Sequence, residues 1–224
     1  MLLEIPTVLD QAKLQNIRDM LHKTNFVDGK YSAGMAAQRV KNNEELQQGT
    51  KQAEYLDHLI MGSLAENPDF RSAALPLRVA QPVFARYVPG MYYGDHVDDP
   101  IMGGGMAKFR SDVSVTVFLN EPDDYDGGEL IIKTTYGDKA VKLPAGHAVL
   151  YPSTSVHRVA EVSRGERLVS VIWIQSMVRD AGKRELLFEL DQARNSLLKT
   201  QPDSEEAKQV DRAYVNLIRM WSEV

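Results

Sequence analysis

With 224 residues the chain is long enough for one sizeable core and short for two full domains. Its 43% hydrophobic and 25% charged residues, with a formal charge of −5 spread along the chain, describe a soluble globular protein and exclude the basic surface that a nucleic-acid binder needs. It contains no cysteine, which excludes disulfides, thiolate metal sites and cysteine nucleophiles together, so any metal must be held by His, Asp or Glu.

In chain order, three zones separate by periodicity. Asp10 to Leu21 predicts a helix, with Asp10 as N-cap and Leu14, Ile17 and Leu21 on one face. Asn25 to Asn43 is loop-rich, and Leu46 to Leu64 predicts a second helix through Ala53, Leu56, Ile60 and Leu64. From about Leu77 to Met177 the pattern changes to short strands: Val79–Tyr87, Val113–Leu119, Gly128–Lys133, Lys139–Leu143, Ala148–Tyr151, His157–Val162 and Arg167–Ile174. Many short strands at this spacing predict a double sheet or barrel. After Val178 the helical period returns, first through Leu186, Leu190, Ala193 and Leu197. A second stripe runs from Ala207 through Tyr214 to Trp221, after a bend at Pro202 and a capping box formed by Asp203 and Glu206. This C-terminal helical hairpin packs either on the sheet or on a second copy, a homodimer being the mild preference.

One constellation is better explained by chemistry than by packing. His96-Val97-Asp98 places an imidazole and a carboxylate two residues apart, so in a strand both project from one face, and Asp99 points away. The glycines Gly90 and Gly94 before the pair and Asp99-Pro100 after it put it where a strand opens into a loop. His157 enters another strand from the Pro152-Ser153-Thr154-Ser155 turn. Two imidazoles and one carboxylate fill one face of an octahedron and leave the other open, as in non-haem Fe(II) oxygenases. His22, His58 and His147 lack partners at ligand spacing; the first two read as structural histidines and His147 as an exposed turn residue.

Ten residues after His157 comes Arg167. Fe(II) with one carboxylate ligand carries a formal charge of +1, and a bound 2-oxo diacid brings it to −1. A fixed cation is then wanted at the diacid's far end, and a guanidinium meets a carboxylate in two parallel hydrogen bonds. A hairpin through Ser163-Arg164-Gly165-Glu166 would set Arg167 beside the His157 strand.

Three runs carry a resemblance to a known family: Ala85-Arg86-Tyr87-Val88-Pro89-Gly90-Met91-Tyr92-Tyr93-Gly94-Asp95-His96-Val97-Asp98; Tyr125-Asp126-Gly127-Gly128-Glu129-Leu130; and Leu150-Tyr151-Pro152 through His157-Arg158-Val159 to Arg164-Gly165-Glu166-Arg167. Together they resemble the prolyl-4-hydroxylase-like Fe(II)/2-oxoglutarate-dependent dioxygenases and, among these, the bacterial PKHD-type hydroxylases. Asp28-Gly29-Lys30, Val40-Lys41-Asn42-Asn43 and Trp173-Ile174-Gln175-Ser176 extend the likeness over nearly the whole chain.

The resemblance implies an α+β protein with a mainly β core: a double-stranded β-helix, or jelly roll, with N-terminal helices and a C-terminal helical hairpin. On this reading residues 1–76 are a helical support region, 77–177 the Fe(II)/2-oxoglutarate dioxygenase domain and 178–224 a helical extension. It also implies Fe(II) on His96, Asp98 and His157, with Arg167 on the distal carboxylate of 2-oxoglutarate. Tyr87 and Tyr93 fall where such enzymes place hydroxyls near the co-substrate, and L-ascorbate is the reductant associated with the wider group. The activity implied is decarboxylation of 2-oxoglutarate to succinate, coupled by molecular oxygen to hydroxylation of a peptide, amino acid or small metabolite, with a link to iron acquisition.

Two positions depart from the pattern. Many such enzymes carry a serine two residues after the arginine, whereas Val169 stands there and Ser170 faces the opposite layer. His147 stands where an acidic turn residue is expected.

Several readings remain less determined. The glycine-rich segment 101–109 could cover substrate or merely connect strands, Arg110 and Asp112 could contact substrate or pair with each other, and Trp173 shares the strand face of Arg167. The alternatives to a 2-oxoglutarate enzyme are a cupin-like metal dioxygenase that uses no 2-oxoglutarate and a non-catalytic jelly-roll module that binds iron or a ligand. No uncharged run reaches the ~18 residues of a membrane span, and Met1–Pro6 lacks a basic region before an apolar stretch, so a cytoplasmic location is expected.

Overall fold

Side-chain caps set the helix starts in the computed structural model, which describes residues 1–224. Helix α1 (Gln11–Leu21) begins where Asp10 accepts the Lys13 amide, and it buries Leu14, Ile17 and Leu21 as the spacing predicts. Helix α2 (Lys51–Glu66) begins at Thr50, which accepts the Ala53 amide, so it starts later than its apolar spacing suggests; Glu44–Leu46 is a strand. Helix α3 (Pro68–Ala74) was not foreseen, although Asn67 accepting the Phe70 amide and Pro68 in the first turn are ordinary start signals.

Two sheets face each other. The larger, of eight strands, runs in the order Leu3–Ile5, Ala148–Pro152, Val113–Phe118, Arg167–Ser176, Val83–Tyr87, Glu44–Leu46 and Phe26–Asp28, with Pro76–Val79 pairing on the far half of Arg167–Ser176. The smaller runs Gly137–Val141, Leu130–Thr134, His157–Val159, Tyr92–His96 and Lys41–Asn42. All pairings are antiparallel. The expected Val79–Tyr87 strand is two strands, broken at Ala80-Gln81-Pro82, where the proline has no amide hydrogen to donate to a ladder.

Alternation on the larger sheet divides the interior. Val113, Val115, Val117, Leu150, Leu168, Ile172 and Phe84 point to the helical layer, where they join Leu14, Ile17, Leu56 and Ile60 in the main core. Their neighbours Phe118, Val149, Tyr151, Val169, Ala85 and Tyr87 point the other way, towards Leu130, Ile132 and Val159 of the smaller sheet. Both faces of these strands are therefore buried, the helices covering one and the second sheet the other.

The structure corrects three further expectations. The strands carrying His157 and Arg167 do not form a hairpin: Val162–Gly165 intervenes and pairs with Tyr125–Gly127, and Arg167 opens a strand of the opposite sheet. Gly165, at φ 76°, makes that reversal, and a Cβ there would lie 2.1 Å from the Asp124 carbonyl oxygen. Helix α5 (Glu205–Trp221) is capped by Ser204, which accepts the Ala207 amide, rather than by Asp203. His147 is half-buried, not exposed. Helix α4 (Ala181–Thr200) forms the C-terminal hairpin with α5, and the Tyr214, Leu217, Ile218 and Trp221 stripe packs within the chain against Leu75, Val178 and Leu187. No helix is long and apolar enough to cross a membrane.

Candidate active site

His96, Asp98 and His157 converge between the sheets, with one ligand atom from each lying within 4.8 Å of the others. His96 ends the Tyr92–His96 strand and pairs in register with His157 of the neighbouring strand, and Asp98 follows two residues beyond. The Asp98 Oδ1 atom lies 3.9 Å from His96 Nε2 and 3.7 Å from His157 Nε2. Asp99 is not part of this group.

The other polar atom of each residue is already engaged. His96 Nδ1 is 2.8 Å from the Gly94 carbonyl oxygen and His157 Nδ1 is 3.0 Å from that of Ser155. A carbonyl only accepts, so each Nδ1 carries the hydrogen and each Nε2 is the ring nitrogen turned to the group. Asp98 Oδ2 accepts from the Ser114 hydroxyl at 2.5 Å. The Tyr93 ring stacks on His96 at 3.6 Å between centroids, and Tyr151 meets His157 edge-on at 5.1 Å. Burial, assisted by the neighbouring His157, lowers the pKa of His96 to about 4, which keeps its imidazole neutral.

The same cavity, of about 240 Å³, also reaches Arg167. That side chain is only 1% exposed, with its guanidinium carbon 4.9 Å from the Tyr87 ring centre and 5.8 Å from that of Phe118. Its Nε and Nη1 atoms have no hydrogen-bond partner. A buried guanidinium left in that state is costly, and an incoming carboxylate would supply what it lacks. Tyr87 stands opposite Arg167 in the sheet register, and burial pushes its hydroxyl pKa up to about 12, so the proton stays available for donation. Trp173, with an unpartnered indole nitrogen, lines the wall, and Met102 of the Ile101–Met102/Phe109–Arg110 hairpin reaches the cavity.

The chain matches the 2OG-Fe(II) oxygenase superfamily over residues 82–175 and the PKHD-type hydroxylase C-terminal domain over residues 181–223. A PKHD-type hydroxylase of Thioalkalivibrio sulfidiphilus is 50% identical over 224 residues, covering 100% of both chains. The chain belongs to the PKHD-type hydroxylases. A second member, from Parvibaculum lavamentivorans, is 46% identical over 99% of each chain. In fold, the hydroxylase is similar to a Trichoplax adhaerens prolyl hydroxylase solved with a peptide fragment of hypoxia inducible factor. The TM-score is 0.55 at 16% identity, over 83% of this chain and 86% of that one. The fold is the jelly roll of the 2-oxoglutarate oxygenases, and the PKHD-type hydroxylase is a dioxygenase that uses Fe(II) and 2-oxoglutarate.

The donor set fits these partners: two imidazoles with one carboxylate suit Fe(II), and the orphaned guanidinium suits a dianion. Sequence reasoning missed Ser114, Ser153, Thr116, Tyr151 and the buried Lys41–Glu45 ion pair of 2.5 Å that lines the cavity of the hydroxylase. A signal for the first and third existed, because polar residues alternate with valine in the fully buried Val113–Phe118 strand. His58 Nδ1 meets the Glu54 carbonyl, and His22 closes α1, both as structural residues. Arg110 and Asp112 pair at 2.6 Å and 3.0 Å.

Proposed function

We propose that His96, Asp98 and His157 hold Fe(II) in this enzyme and that Arg167 holds the distal carboxylate of 2-oxoglutarate, beside Tyr87. Tyr93 supports the metal end by stacking on His96. When bound, the iron supplies the oxidising chemistry that couples decarboxylation of 2-oxoglutarate to succinate with hydroxylation of a second substrate. The chain's own part is to present three ligand atoms on one side, to fix both imidazole tautomers, and to keep bulk water from the site by enclosing it between the sheets. L-Ascorbate is the reductant proposed to restore iron oxidised without product.

The observation that carries this reading is a buried guanidinium with two unpartnered nitrogens in the same cavity as the His-Asp-His group. It favours a 2-oxoglutarate enzyme over a cupin-like dioxygenase or a simple iron-binding module, neither of which needs that cation. The second substrate is proposed to be a peptide, amino acid or small metabolite. The peptide bound to the Trichoplax adhaerens relative supports the first of these. A link to iron acquisition is proposed from the family likeness.

Anaerobic addition of Fe(II) and 2-oxoglutarate should produce a visible metal-to-ligand charge-transfer band, and later admission of oxygen should yield succinate. Folded protein that shows neither would refute the assignment.

A further inference from the structure

We propose that Ser114 locks Asp98 as a one-oxygen ligand and so keeps a coordination place free for 2-oxoglutarate. This positioning role rests on the assignment of His96, Asp98 and His157 to the metal. Asp98 has two carboxylate oxygens with different surroundings. Oδ1 faces both imidazole Nε2 atoms, at 3.9 Å and 3.7 Å, while Oδ2 accepts a hydrogen bond from Ser114 Oγ at 2.5 Å. A contact that short between a hydroxyl and a carboxylate belongs to the strong, charge-assisted class.

Proton accounting gives the contact a direction. Ser114 Oγ is also 2.7 Å from Ser153 Oγ. A serine has one hydroxyl proton and an ionised carboxylate has none, so Ser114 donates to Asp98 and Ser153 must donate to Ser114. Ser114 is 0% and Ser153 2% exposed, so no water competes for these atoms.

The chain is also well anchored. Ser114 is held in the larger sheet between Tyr151 and Trp173 of the flanking strands, and the Ser153 amide donates to the Asp112 carbonyl at 3.2 Å. The turn that carries Ser153 also carries Ser155, whose carbonyl orients His157. One turn therefore controls the presentation of two of the three ligands.

The functional consequence follows from counting ligands. On a six-coordinate ion, two imidazoles and one carboxylate oxygen would leave three places, two for a chelating 2-oxo acid and one for oxygen. If Asp98 gave both oxygens, one place would be lost and 2-oxoglutarate would have to displace a carboxylate oxygen to chelate. Engaging Oδ2 with Ser114 removes that competitor. Chelation by 2-oxoglutarate, more than metal binding itself, should depend on the hydroxyl.

The test is an anaerobic titration of cobalt(II)-loaded protein with 2-oxoglutarate, following cobalt d–d absorption. Ser114→Ala should change the cobalt spectrum before 2-oxoglutarate is added and raise the apparent Kd of 2-oxoglutarate about tenfold, the scale of one lost charge-assisted hydrogen bond, with cobalt affinity changed less. Ser114→Thr keeps the hydroxyl and should restore both. Ser170→Ala is the control, since Ser170 is 0% exposed in the same sheet but faces the other layer with an unpartnered hydroxyl, and it should behave as wild type. Should Ser114→Ala fail to fold, Ser153→Ala removes the donor behind Ser114 and should shift the same two readouts in the same direction by less. An unchanged spectrum and 2-oxoglutarate Kd in a folded variant would overturn the proposal, as would loss of cobalt together with 2-oxoglutarate. A wild-type protein that binds cobalt but not 2-oxoglutarate would instead overturn the parent assignment.

Discussion

At the His96, Asp98 and His157 end of the cavity each side chain has its second polar atom tied down, by Gly94, Ser114 and Ser155, whereas at the other end Arg167 keeps two buried nitrogens without a partner. The first end is preorganised, since its tautomers and carboxylate orientation are fixed by the chain alone. The second is unfinished, a buried cation beside Tyr87, Phe118 and Tyr125 whose unpartnered nitrogens an anion would satisfy. The contrast predicts that metal affinity depends on placed ligands, while 2-oxoglutarate affinity draws on relief of a buried charge.

The largest effects should come from the ligands themselves. His96→Ala or Asp98→Ala should abolish Fe(II) binding and succinate formation, measured by anaerobic calorimetry and product assay, while His22→Ala should leave both unchanged. Metal binding retained in Asp98→Ala would break the assignment of the preorganised end.

Next in size, Arg167→Met should weaken 2-oxoglutarate binding by about 3 kcal/mol or more, since one or two hydrogen bonds to charged groups are lost. The same substitution should stabilise the ligand-free protein by roughly 1–3 kcal/mol, because it replaces an unpaired buried charge by an apolar chain of similar length. Denaturant unfolding checks the second effect, and a large loss of stability would show that the guanidinium is not an unmet demand. Conversely, wild-type protein with Fe(II) should gain about 2.7 kcal/mol when 2-oxoglutarate is at a hundred times its Kd, and the Arg167→Met protein far less.

The smallest effect concerns pH. Burial raises the Tyr87 pKa from 10.0 to about 12, against a smaller opposing pull from Arg167. The folded chain thus keeps a proton that the unfolded chain gives up, so this contribution to stability is fully present below pH 10 and is lost as pH rises towards about 12. Tyr87→Phe should flatten the stability profile across that window. A profile as steep as wild type would show that Tyr87 is not the group responsible.

The convergence of His96, Asp98 and His157 could be read from the sequence because its signals are local: His96 and Asp98 lie two residues apart, and His157 follows a recognisable turn. The two-sheet architecture could be read because strand-length segments with turn residues recur between Leu77 and Met177. What could not be read is what crosses the interior. Ser114 and Asp98 meet across 16 positions and Ser114 and Ser153 across 39, through sheet pairings that no local period announces. Arg167 lines the same cavity, but not from the strand beside His157 that a hairpin would give it: an extra short strand, Val162–Gly165, carries it to the opposite sheet. The second face of strands such as Val113–Phe118 is also hard to see, because burial on both sides removes the contrast that alternation relies on.

On the assignment proposed above, one cavity joins a finished metal site to an unfinished anion site. That assignment is tested most directly by anaerobic binding of 2-oxoglutarate to the Fe(II)-loaded wild-type and Arg167→Met proteins, with iron content measured in both. Iron should be equal in the two proteins, with the charge-transfer band present in wild type and absent from the variant at the same 2-oxoglutarate concentration. Equal bands in the two proteins, at equal 2-oxoglutarate affinity, would contradict it.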